Sequence, residues 1–94
     1  MTLDIESIYQ KAIDHYGIRS QMIVAIEELS ELQKELTKVL RDKADYRHLA
    51  EEMADVEIMM EQLRLMFHPI TNMIGEYKEN KLLRLNHQIN EENE

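Results

Sequence analysis

Apolar residues recur along the chain at three- and four-residue spacing, the period of an amphipathic helix, in runs separated by short polar or helix-breaking stretches. The first run, Ile5, Ile8, Tyr9, Ala12, Ile13 and Tyr16, predicts a helix. Thr2 or Asp4 is its expected N-cap, because both side chains accept hydrogen bonds from first-turn N–H groups. Gly17 is its expected C-cap, since glycine readily takes the backbone conformations that end a helix. A second helix is predicted from about Ile18 or Ser20 to Leu40, with Met22, Ala25, Ile26, Leu29, Leu32, Leu36, Val39 and Leu40 in one apolar band. Glu28 borders that band, whereas Glu31 lies nearly opposite it, in a second stripe with Val24, Glu28 and Glu35.

A third helix is predicted from Tyr46 to Phe67. Leu49, Met53, Val56, Met60, Leu63 and Phe67 form its band, and Glu52 and Asp55 sit on one flank beside Met59 and Met66. His68-Pro69 then breaks the pattern: proline lacks the N–H a helix needs and disfavours a helical residue before it. A fourth helix should run from about Ile70 to Ile89. Ile70, Met73, Ile74 and Tyr77 share a face that continues into Lys81, Arg84 and Gln88, so cations replace apolar groups at inward-facing positions. The polar tail from about residue 90 has no periodicity and is expected to fray. The pattern therefore predicts a single all-α domain of four helices.

At 94 residues the chain buries only a small core by itself, so completion by a second subunit, as a homodimer or homotetramer, is expected. It has no cysteine, which excludes disulfides and thiol chemistry, and no apolar run approaching the roughly 20 residues that span a bilayer. No basic segment followed by an apolar core opens the chain, so the default expectation is a cytoplasmic protein without membrane attachment. The formal net charge of −8 argues against a nucleic-acid polymer as ligand. A phosphate ligand would need a cation as mediator.

Two acidic stretches change the picture most. In Glu27-Glu28-Leu29-Ser30-Glu31-Leu32 and in Glu51-Glu52-Met53-Ala54-Asp55-Val56, carboxylates stand three residues apart, on one helical face and about one turn apart. Between them lies the polar run Arg41-Asp42-Lys43-Ala44-Asp45. If the chain reverses near Lys43, Glu31 and Asp55 come side by side in an antiparallel hairpin. Solvated flanks of two amphipathic helices would also explain the acids.

Glu28-x-x-Glu31 followed by Glu52-x-x-Asp55 resembles the ExxE…ExxD signature of the MazG-like all-α nucleoside triphosphate pyrophosphohydrolases, a superfamily that includes dimeric dUTPases and phosphoribosyl-ATP pyrophosphatases. Tyr16-Gly17 and Gln21 resemble the family's approach to its first motif, and Lys81-x-x-Arg84 is similar to a basic motif late in many members. The resemblance spans roughly residues 5 to 88. It implies a MazG-like helical bundle that binds Mg²⁺, or Mn²⁺, through Glu28, Glu31, Glu52 and Asp55. It also implies cleavage of the α–β phosphoanhydride of a nucleoside triphosphate to monophosphate and pyrophosphate. One of the four acids would orient or deprotonate the attacking water, Lys81 and Arg84 would neutralise the triphosphate, and Gln21 would contact the nucleotide.

Other features read as packing. Met53, Met59, Met60 and Met66 suit an adaptable core or interface. His15, His48, His68 and His87 show no metal-ligand spacing and read as surface or boundary residues. A different class of function, a helical oligomerisation or nucleotide-binding module without catalysis, fits the same helices.

Overall fold

The computed structural model describes residues 3–93, which form four α-helices, one 3-10 turn and no strand. The helices are α1 (Ile5–Tyr16), α2 (Ile18–Leu40), α3 (Tyr46–Met66) and α4 (Thr71–Glu92), with the 3-10 turn at His68–Ile70. Of the two expected caps for α1, Asp4 serves, accepting from the Ser7 N–H at 3.2 Å, and Thr2 lies outside the described residues. Gly17 ends α1 by donating its N–H to the Ile13 carbonyl at 2.8 Å. Its φ of 93° and ψ of 153° also make it the pivot into α2.

A side chain at Gly17 would meet open space, so any cost of substitution is a backbone cost. Gly17→Ala is therefore expected to destabilise the fold by about 1–3 kcal/mol, the strain of a non-glycine residue in that region. A thermal melt of the variant checks this, and an unchanged midpoint would contradict it.

The connection between α2 and α3 fixes which side chains meet. Lys43 donates its N–H to the Lys38 carbonyl at 2.8 Å and Asp42 donates to Val39 at 3.1 Å, with Asp42 left-handed at φ 57°. This is a Schellman end, here built on aspartate instead of glycine. Asp45 then caps α3, its carboxylate accepting from the N–H groups of Arg47 and His48 at 3.1 and 3.2 Å. With Glu35 facing His48 across the pair at 3.3 Å, the hairpin reverses between Arg41 and Asp42. That is earlier than the expected reversal near Lys43, and it sets Glu28, in place of Glu31, against Asp55.

α1 packs on one side of this hairpin, where Tyr9 on α1 donates a hydrogen bond to Glu61 on α3. The other side is uncovered. Among the described residues, only Ile13, Ala25 and Met59 are buried apolar residues, whereas Gln21, Glu35, Glu52 and Gln62 are buried polar ones. The bands expected to be core are largely open: Met22, Ile26, Leu29 and Leu36 on α2 and Met53, Met60 and Phe67 on α3 are all exposed. The seam between α2 and α3 is instead the polar stripe. On the helical projection both apolar bands turn to the same side of the antiparallel pair, away from α1.

α4 departs further from expectation. It packs against the 3-10 turn that precedes it, and beyond the half-buried Thr71 and Ile74 every described residue of it is exposed. The radius of gyration of 16.9 Å exceeds the value of about 12 Å for a compact chain of this length, as a projecting helix requires. The tail expected to fray from about residue 90 continues the helix to Glu92, with His87 and Glu91 paired at 3.0 Å one turn apart. Among the described residues, no helix is long and apolar enough to cross a membrane.

Candidate metal centre

The α2–α3 seam carries the acids because its register brings residues 28, 52 and 55 together. One carboxylate oxygen from each of Glu28, Glu52 and Asp55 lies within 4.8 Å of the other two. Glu52 is buried and Glu28 half-buried. Glu52 Oε2 has no hydrogen-bond partner and almost no access to solvent. A buried carboxylate oxygen without a partner is costly, and a cation or a proton is what relieves it.

The electrostatics respond in that direction. Burial, hydrogen bonding to Glu52, the charges of Asp55 and Glu52, and hydrogen bonding to Asp55 together push the Glu28 carboxyl up from 4.5 to about 7. In the absence of a cation, then, the group holds a proton near neutrality to keep three negative charges apart. The donor set is entirely oxygen, from two rigid helices, which fits a hard divalent ion such as Mg²⁺ or Mn²⁺. Glu28, Glu52 and Asp55 are the residues that would hold it.

The remaining expected site residues are placed differently. Glu31 is half-buried and points to Lys34 on its own helix at 3.5 Å, outside the group of three. Gln21 is buried two turns along α2 from Glu28, beside Gln62, in the wall of a cavity of about 350 Å³ that Ala12, Tyr16, Ser20 and Val24 also line. Gln62 Oε1 is buried there without a partner. Lys81 and Arg84 are exposed on α4, away from the seam, and take part in no ion pair among the described residues. The inward-facing position expected for them is not realised within this chain.

Two residues in the seam carried no site expectation. Glu35 is buried to 2 % exposure, one heptad beyond Glu28 on the same face of α2, and accepts from Lys38 Nζ at 3.0 Å. His48, read from sequence as a surface or boundary group, is half-buried with Nε2 3.3 Å from Glu35 Oε1 and 3.7 Å from Glu52 Oε1. The signal for His48 was its position four residues before Glu52, on the same helical face.

No family model, curated protein or solved structure matches the chain.

Proposed function

We propose that the chain is a divalent-metal-dependent nucleoside triphosphate pyrophosphohydrolase of the MazG-like all-α type. The observation that carries this reading is the meeting of Glu28, Glu52 and Asp55 from α2 and α3, with one buried oxygen of Glu52 left unpartnered. These are three of the four acids in the motif pair the sequence resembles. Glu31 lies about one turn further along α2 and joins them by turning from Lys34. The bound cation supplies Lewis-acid polarisation of phosphoryl oxygens and offsets their charge.

The chain's own side chains do the rest. Glu52, held in the wall of the seam, fixes the inner edge of the site. One of the carboxylates orients or deprotonates the attacking water as the bond between the α and β phosphates breaks. Water supplies the new oxygen, and nucleoside monophosphate and pyrophosphate leave. Gln21 contacts the nucleotide through the cavity it shares with Gln62. Lys81 and Arg84 neutralise the triphosphate only if α4 closes over a site or reaches one in another copy.

A second copy is the partner this reading includes. The accessible surface of 8026 Å² compares with roughly 5,700 Å² for a compact monomer of this size. The excess, roughly 2,300 Å² per chain and so about 4,600 Å² for two copies, falls within the 2,000–5,000 Å² or so that obligate assemblies bury in total.

The test is to incubate purified protein with Mg²⁺ and canonical and modified ribo- and deoxyribonucleoside triphosphates, resolving monophosphate, pyrophosphate and orthophosphate. Monophosphate plus pyrophosphate is expected, with rates in Glu52→Gln and Asp55→Asn at least about 100-fold lower, since even outer partners of metal ligands cost up to that much. The remote, exposed position of Lys81 and Arg84 favours a second reading, a non-catalytic oligomerisation or nucleotide-binding module. Nucleotide or partner binding without cleavage under any divalent metal would select it.

A further inference from the structure

A carboxylate at 2 % exposure is an expensive group to keep, and Glu35 is more deeply buried than Glu52. Its Oε1 accepts from Lys38 at 3.0 Å and faces His48 Nε2 at 3.3 Å, while its Oε2 is buried with no partner. Replacing a buried ion pair by well-packed apolar groups is often neutral or stabilising, so stability alone is a weak reason to hold Glu35 there.

The geometry around His48 supplies a better one. The Nε2 that faces Glu35 is also 3.7 Å from Glu52 Oε1, and Nδ1 lies 3.8 Å from Glu51 Oε2. His48 therefore stands against one oxygen of Glu52, and the other, Oε2, is the oxygen left without a partner. We infer that Glu35 and His48 are positioning residues for the metal centre: Glu35 sets the ring, and the ring sets the Glu52 carboxylate so that Oε2 is free for a cation. This rests on the reading of Glu28, Glu52 and Asp55 as a metal site. At 3.7 Å the contact of His48 with Glu52 is electrostatic, longer than a hydrogen bond, and loss of a neighbour that orients a carboxylate ligand weakens metal binding without removing any ligand. Lys38, on the same helix as Glu35, anchors the buried end of the chain of contacts.

The experiment is a titration of the full chain with Mn²⁺ at pH 8, followed by calorimetry and by the Mn²⁺ spin-resonance signal, with thermal melts of each variant in the absence of metal. Glu35→Gln and His48→Ala are expected to bind Mn²⁺ about 10–100-fold more weakly than the parent. His48→Gln, which retains an N–H donor, should recover part of the loss. The double variant should bind no more weakly than His48→Ala alone, because the two residues act through one another. The half-buried His48 carries the test if Glu35→Gln melts too early to titrate.

Mn²⁺ affinity within twofold of the parent in folded His48→Ala, alongside its loss in Glu52→Gln, would overturn the positioning role and leave the metal centre standing. A parent protein that binds no Mn²⁺ would overturn the centre and, with it, this role.

Discussion

Glu52→Gln is expected to melt at a higher temperature than the parent in metal-free buffer at pH 8, and to lose the stabilisation that Mg²⁺ or Mn²⁺ gives the parent. The first effect follows from the crowding of Glu28, Glu52 and Asp55 within 4.8 Å. A glutamine at position 52 removes one charge and offers an N–H to a neighbouring carboxylate, turning a repulsive contact into a hydrogen bond. Relief of about 1–3 kcal/mol is expected, and about 4–8 °C accompanies each kcal/mol in a domain of this size. The second effect follows because a ligand that binds only the folded state at 100 times its Kd adds about 2.7 kcal/mol.

The pH dependence separates the causes. The folded pKa of Glu28, about 7, lies above its ordinary value of 4.5, so the folded state binds this proton more tightly. Its contribution to stability is complete below pH 4.5 and is lost as pH rises through about 7. The advantage of Glu52→Gln over the metal-free parent should therefore shrink at pH 5.5, where a proton already relieves the cluster. Metal affinity of the parent should fall over the same descent from pH 8, because proton and cation compete for Glu28. An equal advantage at pH 5.5 and pH 8 would show that the gain arises elsewhere.

Much of this arrangement was legible in the sequence because helix period, caps and breakers are local. Asp4, Gly17 and Pro69 place three of the boundaries by their own chemistry, and the observed helices begin and end close to the expected residues. The pairing of the two acidic stretches was legible as well, but the register was not. A reversal near Lys43 would have set Glu31 beside Asp55, whereas α2 ends at the expected Leu40 and the turn through the left-handed Asp42 pairs Glu35 with His48, which sets Glu28 there. A shift of a residue or two in a turn moves a helical face by a large fraction of a revolution, and aspartate in place of the usual glycine gave little warning of it.

The core was misplaced for a different reason. Apolar periodicity identifies a face that seeks burial, but it does not say whether the same chain or another covers it. Here Ala25 and Met59 enter the seam with Gln21, Glu35, Glu52 and Gln62, while Leu29, Leu36, Met53 and Met60 remain open. For His48 the i,i+4 spacing to Glu52 was in the sequence, but the contact with Glu35 crosses from α3 to α2 and depends on the register of the pair.

The protein is expected to sediment as a dimer or larger assembly at micromolar concentration, and Leu29→Glu with Met60→Glu should reduce it to a poorly folded monomer. Leu29 is 40 % exposed and Met60 47 % exposed, on α2 and α3 respectively, and their bands face the side of the hairpin that α1 leaves uncovered. Tyr46, Met53, Met60 and Phe67 repeat every seven residues, with Leu49, Val56 and Leu63 between them, the spacing of a helix seam that packs against another helix. An exposed apolar surface of this extent is rare on a soluble monomer. Two carboxylates placed in a dry interface cost several kcal/mol each, more than a domain with so few buried apolar residues can absorb. The parent should therefore melt at a midpoint that rises with protein concentration, and the double variant should show weak, concentration-independent cooperativity. Glu57→Gln and Glu79→Gln, at exposed polar positions, serve as the comparison and should change neither mass nor midpoint appreciably. A parent that sediments as a monomer with a sharp melt, unaffected by both glutamates, would mean that the open face of α2 and α3 is not an interface between copies. The group of Glu28, Glu52 and Asp55 lies in the seam within one chain, so the proposed metal binding would stand apart from that outcome, while the proposed approach of Lys81 and Arg84 would then depend on α4 of the same chain.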